Sequence, residues 1–148
     1  ELADRHWLAA LDAMEKGDKE TAVKEKDKTV ELLLAVDSLL AAHPERNLTD
    51  WVELARAAAD DPALKDRYET DAKRLVTTWG GAQEDYAARM WAGLLKDYYI
   101  PRLEKHLEGQ DKAAMLPWKE EWLATPYKTT SVADPDPLGT AARLVVQR

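Results

Sequence analysis

Apolar residues recur at three- and four-residue intervals along most of the chain, the spacing of one helix face, and no stretch alternates as a strand would. From Ala3 to Lys16, Trp7, Leu8 and Leu11 share a face, and Gly17 supplies a C-terminal stop. Asp18 can cap a second helix that starts in the charged stretch Lys19 to Lys28 and ends at Ala42, before His43-Pro44. Its second half carries a broad apolar arc around Leu33, Leu34, Val36 and Leu40. Asn47 or Thr49 can cap a third helix bearing Trp51, Leu54, Ala55 and Ala58, and Asp61-Pro62 reads as the cap and first position of a fourth. That fourth helix carries one stripe, Leu64, Tyr68, Ala72, Leu75, Val76 and Trp79, and stops at Gly80-Gly81. A fifth is expected from Gln83 to Tyr99 with Ala87, Met90, Trp91, Leu94 and Tyr98 inward. Pro101 either kinks it or starts a short successor, Arg102 to Glu108, and a last short helix around Trp118 to Leu123 follows Pro117. The expected fold is all-α, a compact bundle of about five to six helices.

After Leu123 the chemistry changes to Thr125-Pro126, Asp134-Pro135-Asp136-Pro137 and Gly139. Residues 1–127 therefore read as a helical domain and 128–148 as a Pro-containing tail or linker, whose cluster Leu144-Val145-Val146 either docks on the bundle or leads toward another module. A length of 148 residues suits one domain with one core. The chain opens at Glu1 with no basic or apolar leader, and reads as a piece excised from a longer protein.

Charge and composition narrow the chemistry. The formal net charge of −7 has the wrong sign for holding phosphate backbones, so nucleic acid is not an expected partner, and no apolar run approaches a membrane span. With no cysteine, disulfides and thiolate chemistry are absent. His6, His43 and His106 are isolated and form no ligand pair on one helical face, so no metal is expected. Gly80-Gly81 has no preceding strand and no P-loop lysine, and neither Ser38 nor Ser131 sits in a nucleophile elbow. No cofactor is expected and no catalytic residue is assigned. Most acids alternate with lysines and read as a solvated face. Asp37 differs: among Leu33, Leu34, Val36 and Leu40 it needs hydrogen-bond partners, and reads as a structural anchor.

The densest unusual segment, Val76 to Arg102, combines polar groups with large aromatics, in a chain with six Trp, five Tyr and no Phe. Trp79 at a helix end and Asp85-Tyr86 opening the next would gather an indole, a carboxylate and a phenol around one loop, a surface suited to the C–H face and hydroxyls of a sugar. Trp79 and Tyr86 simply capping the core is the alternative. Gly93, placed inside a helix, points to a close approach by another backbone.

At these residues the sequence resembles the C-terminal all-α domain of the alpha-N-acetylglucosaminidases, glycoside hydrolase family 89. The resemblance rests on LLLAVDSLL from Leu32 to Leu40, DWVELARA from Asp50 to Ala57, Tyr68-Glu69 leading to Thr77-Thr78-Trp79-Gly80, Asp85-Tyr86-Ala87, Trp91-Ala92-Gly93-Leu94, Asp97-Tyr98-Tyr99 and Pro101-Arg102, in that order. It implies an accessory domain of a larger exo-glycosidase acting on glycans that end in alpha-linked N-acetylglucosamine, in a secreted, periplasmic or lysosomal setting. The pair of glutamates that performs the retaining reaction would lie on a preceding barrel domain outside this chain, so the isolated chain is expected to be inactive. The helical domain would pack on that barrel and help wall the substrate pocket, with Trp79, Asp85 and Tyr86 as pocket or interface residues. The sequence departs from the family pattern at Gly81 (commonly Pro), Asp71 (Asn), Met90 (Gln) and Leu103 (Trp), changes that alter hydrogen-bonding capacity at two positions. On the residues alone, a helical scaffold that binds a protein partner is the competing reading.

Overall fold

A computed structural model describes residues 1–79, 89–128 and 131–146. Among them the chain is all-α, as expected, with seven α-helices: α1 (Leu2–Glu15), α2 (Lys19–Ala41), α3 (Leu48–Ala57), α4 (Pro62–Leu75), α5 (Ile100–Leu107), α6 (Leu116–Ala124) and α7 (Pro137–Val146). A 3-10 turn, Pro44–Arg46, precedes α3, and a π-helical turn, Leu95–Tyr99, runs directly into α5.

Local chemistry sets these boundaries. Gly17 takes a left-handed conformation, φ +76°, that folds α1 back onto α2, and the Asp18 carboxylate then accepts from the Thr21 N–H at 3.1 Å. Asn47 caps α3 through the Thr49 N–H at 2.9 Å, and Asp61 caps α4 through the Leu64 N–H at 3.0 Å with Pro62 in the first turn. Pro101 has no N–H to give to a carbonyl one turn back and its ring crowds that carbonyl. The preceding turn widens accordingly: the Ile100 N–H reaches back five residues to the Leu95 carbonyl.

α1 pairs with α2 and α3 with α4, and a core of Leu48, Val52, Val76, Leu94 and Tyr98 gathers α3, the end of α4 and the π turn, ringed by Trp51, Trp91, Tyr99, Trp118, Trp122 and Tyr127. Tyr98 is fully buried, stacked on Trp118 with ring centroids 5.4 Å apart and packed against Trp122 at 4.8 Å. Burial of one such side chain contributes about 1.5–3 kcal/mol, and aromatic pairing adds about 0.5–1.5 kcal/mol.

Two expectations fail in the described residues. The helix expected from Gln83 to Tyr99 is not helical over 89–93; Ala92 instead forms an isolated parallel bridge with Asn47, and Met90, expected inward, is 55% exposed. A residue pair in extended pairing satisfies backbone groups that a helix would otherwise satisfy, and Gly93, at φ +82°, turns the chain out of that pairing into the π turn. The close approach at Gly93 also comes from a side chain, the Tyr127 hydroxyl, rather than from another backbone.

The tail is tied to the bundle. Ser131 bonds to Asp37, the Asp134 N–H donates to the Ser38 carbonyl at 3.1 Å, and α7 packs on α2.

Candidate functional site

The segment expected to face a sugar is held at both of its described ends. At the near end, α4 stops at Leu75, and the Trp79 N–H donates to the Arg74 carbonyl at 2.9 Å. Closing that bond puts Trp79 at φ +49°, a left-handed conformation that costs a side-chain-bearing residue about 1–2 kcal/mol. The result is a tryptophan left 40% exposed just beyond the helix. Asp85 and Tyr86, the other two predicted site residues, lie outside the described residues. At the far end, the Ala92 N–H donates to the Arg46 carbonyl at 2.8 Å and the Leu48 N–H to the Ala92 carbonyl at 3.0 Å. Trp91 packs edge-on against Trp51, 5.7 Å between centroids, whose own indole N–H reaches the Ala72 carbonyl at 2.9 Å.

Asp37 fixes this far end from α2. Its Oδ1 accepts the Gly93 N–H at 2.8 Å and the Lys96 N–H at 3.3 Å, and its Oδ2 accepts the Ser131 hydroxyl. A buried carboxylate thus sits at the start of the helical run 94–107, where the peptide dipoles favour negative charge. This is the structural anchor that its apolar sequence surroundings called for.

A second buried polar cluster was not read from the sequence. Glu69 accepts from Arg56 at 2.6 Å and from the Tyr127 N–H, and lies 3.5 Å from the Lys73 ammonium. Lys73 in turn donates to the Trp122 carbonyl at 3.2 Å and the Thr125 carbonyl at 2.5 Å, closing the C-terminal end of α6, where positive charge is favoured. Burial holds the Lys73 amine below its ordinary pKa, against the raising effect of Glu69. The Tyr127 hydroxyl is pushed up to about 12, by burial first and by the nearby Asp97 carboxylate second. Glu69 and Lys73 stand one helical turn apart, a spacing that in sequence looks like any solvated ion pair. Asp37 and Glu69 are both taken up by donors, which is the chemistry of anchors rather than of an acid–base pair.

With the acid and amine of α4 turned inward, its large apolar residues are left outside while Ala72 and Val76 stay buried. Leu64, Tyr68 and Leu75 are exposed, and a shallow depression of about 280 Å³ lies between α3 and α4, lined by Trp51, Ala55, Tyr68, Ala72 and Leu75 among others.

Residues 1–145 match the family model described as the Alpha-N-acetylglucosaminidase (NAGLU) C-terminal domain. This chain belongs to that family. Human Alpha-N-acetylglucosaminidase is 44% identical over 80 residues, which are 53% of this chain and 11% of the human protein. Among solved structures, the family 89 glycoside hydrolase from Clostridium perfringens in complex with PUGNAc superposes with a TM-score of 0.83 at 26% identity, covering 98% of this chain and 19% of that one. A doubly substituted form of the Clostridium perfringens family 89 enzyme, in complex with its substrate GlcNAc-alpha-1,4-galactose, gives a TM-score of 0.78 at 28% identity, again over 98% and 19% of the two chains. The chain therefore spans about a tenth of the human relative and a fifth of the bacterial one.

Within this alpha-N-acetylglucosaminidase C-terminal domain, the departures from the family pattern fall on its surface features. Asp71 lines the α3–α4 depression and stands 3.5 Å from Arg74. Met90 is exposed beside Trp91, and Leu103 lines a cleft with Trp7 and His106. Gly81 lies outside the described residues.

Proposed function

We propose that this domain is part of an exo-acting glycoside hydrolase that removes terminal alpha-linked N-acetylglucosamine. It packs on a barrel catalytic domain of the same polypeptide and helps wall the substrate pocket with Trp79, Asp85 and Tyr86. Family membership over 1–145 supports the activity class, and the substrate named for the bacterial relative supports the sugar. The single observation that carries the pocket role is the half-exposed Trp79, held just beyond α4 by a backbone conformation that tryptophan rarely adopts. An indole face so presented packs on the apolar face of a pyranose, while a carboxylate and a phenol accept and donate to its hydroxyls.

The test is kinetic and uses the full-length polypeptide with an aryl alpha-N-acetylglucosaminide. Trp79→Ala and Asp85→Ala are expected to raise KM roughly 3- to 10-fold with the melting temperature unchanged. The isolated 148-residue chain is expected to show no turnover. Turnover by the isolated chain, or unchanged kcat/KM in both variants, overturns the pocket assignment.

A further inference from the structure

We infer that the apolar face shared by α3 and α4 is the surface on which the catalytic part of the parent polypeptide docks. This rests on the preceding proposal that such a part exists, and adds which face receives it. In a self-sufficient amphipathic helix the large apolar residues point to the core and the charges to water. α4 departs from this pattern at five positions: Glu69 and Lys73 are buried with Ala72, while Leu64, Tyr68 and Leu75 are exposed, and Leu54 of α3 is 69% exposed. The inverted charges are satisfied by Arg56, by the Tyr127 N–H and by α6 carbonyls, so the inversion is built into the fold.

The face has the makeup of an interface core. Trp51, Tyr68, Ala72 and Leu75 line its floor, Asp71 contributes its charge at the edge, and the Arg67, Asp71 and Arg74 cluster forms a polar rim. Exposed apolar surface of this kind is abnormal on a monomer that works alone. The occupant follows from length. In the solved relatives this fold makes up 19% of one polypeptide, so the larger remainder of such a chain is at hand to cover it.

The experiment uses the full-length polypeptide and places charges on the face at exposed positions, Leu64→Lys and Leu75→Lys, with Leu138→Lys on the outer side of α7 as a matched control. Exposed sites of this kind leave the domain's own fold intact, which circular dichroism of the 148-residue chain checks. The expected result is that the two α4 variants, and not the control, separate one thermal transition into two and speed proteolysis between the domains roughly tenfold. Hydrogen exchange should show amides of α3 and α4 better protected in the full-length protein than in the isolated chain. Protection confined to α7, or sensitivity to the Leu138 change alone, overturns the inference. So does self-association of the isolated chain through this face with the full-length protein unaffected. Absence of glycosidase activity in a full-length protein that still protects α3 and α4 would reject the proposed reaction while leaving the docking face standing.

Discussion

The Asp37 carboxylate and the Gly93 N–H meet at 2.8 Å across 56 residues of sequence, in the buried interior. Three segments converge there, because the same side chain also takes the Lys96 N–H and the Ser131 hydroxyl. Asp37→Ala strands all three donors, and each buried donor left unpaired costs about 1–3 kcal/mol. The expected loss, read by urea unfolding of the chain, is about 3 kcal/mol or more. Asp37→Asn should cost only about 1 kcal/mol, since one oxygen still accepts both amides and the new NH₂ can donate to the Ser131 oxygen. Equal losses in the two variants would show that the carboxylate is not working as a hydrogen-bond anchor.

Gly93 combines a left-handed backbone with crowded surroundings. Its φ is +82°, and a Cβ there would stand 2.1 Å from the Tyr127 hydroxyl oxygen and 3.3 Å from the Leu48 Cβ. Gly93→Ala is expected to destabilise by about 2 kcal/mol or more, from left-handed strain and overpacking together. Tyr127→Phe removes the nearest atom, so the alanine should cost about 1 kcal/mol less in that background. A double-mutant cycle measures the coupling, and strict additivity would mean that the clash is relieved elsewhere.

Much of this architecture is legible from local chemistry. Gly17, Asp18, Asn47 and Asp61-Pro62 each mark a boundary because their effect is exerted within one turn of chain. Asp37 is legible for a related reason: an acid inside an apolar arc must find partners, although the sequence does not say where. What was not legible depends on pairings far apart in sequence. The extended 89–93 run exists because Ala92 bridges Asn47, and no local pattern at Met90 or Trp91 announces that. The facing of α4 is likewise decided by Tyr127 and the end of α6, more than 45 residues away, which draw Glu69 and Lys73 inward against their ordinary preference. Of the site itself, the position of Trp79 just past a helix end was readable from Gly80-Gly81, while its left-handed backbone and its bond to the Arg74 carbonyl were not.

Lys73→Met tests that inversion. Methionine keeps most of the apolar stem and removes the donor that serves the Trp122 and Thr125 carbonyls and faces Glu69. Glu69 keeps Arg56 and the Tyr127 N–H, so the main loss is at the end of α6. The expected destabilisation is about 2 kcal/mol or more, with hydrogen-exchange protection lost first in the last turn of α6. Uniform loss across the chain, or none, would separate Lys73 from that helix end.

Tyr127 and Lys73 should leave opposite marks on stability at high pH. The Tyr127 phenol is raised from 10.0 to about 12 in the folded chain. Below its unfolded value both states keep the proton and its contribution is complete. Between the two values the unfolded chain gives up a proton that the folded chain retains, so stability falls as pH rises. Lys73 has a folded pKa below 10.5. Between that lowered value and 10.5 the unfolded chain holds the extra proton, and its contribution rises with pH until 10.5 is passed. Above 10.5, where the Lys73 contribution is complete, the tyrosine effect therefore governs the slope. Wild-type stability should decline over the interval up to about 12 more steeply than that of Tyr127→Phe, and tyrosinate absorbance of the native chain should show one late titration that the Phe variant lacks. Identical alkaline limbs in the two proteins would mean that the Tyr127 hydroxyl ionises as freely in the folded chain as in the unfolded one.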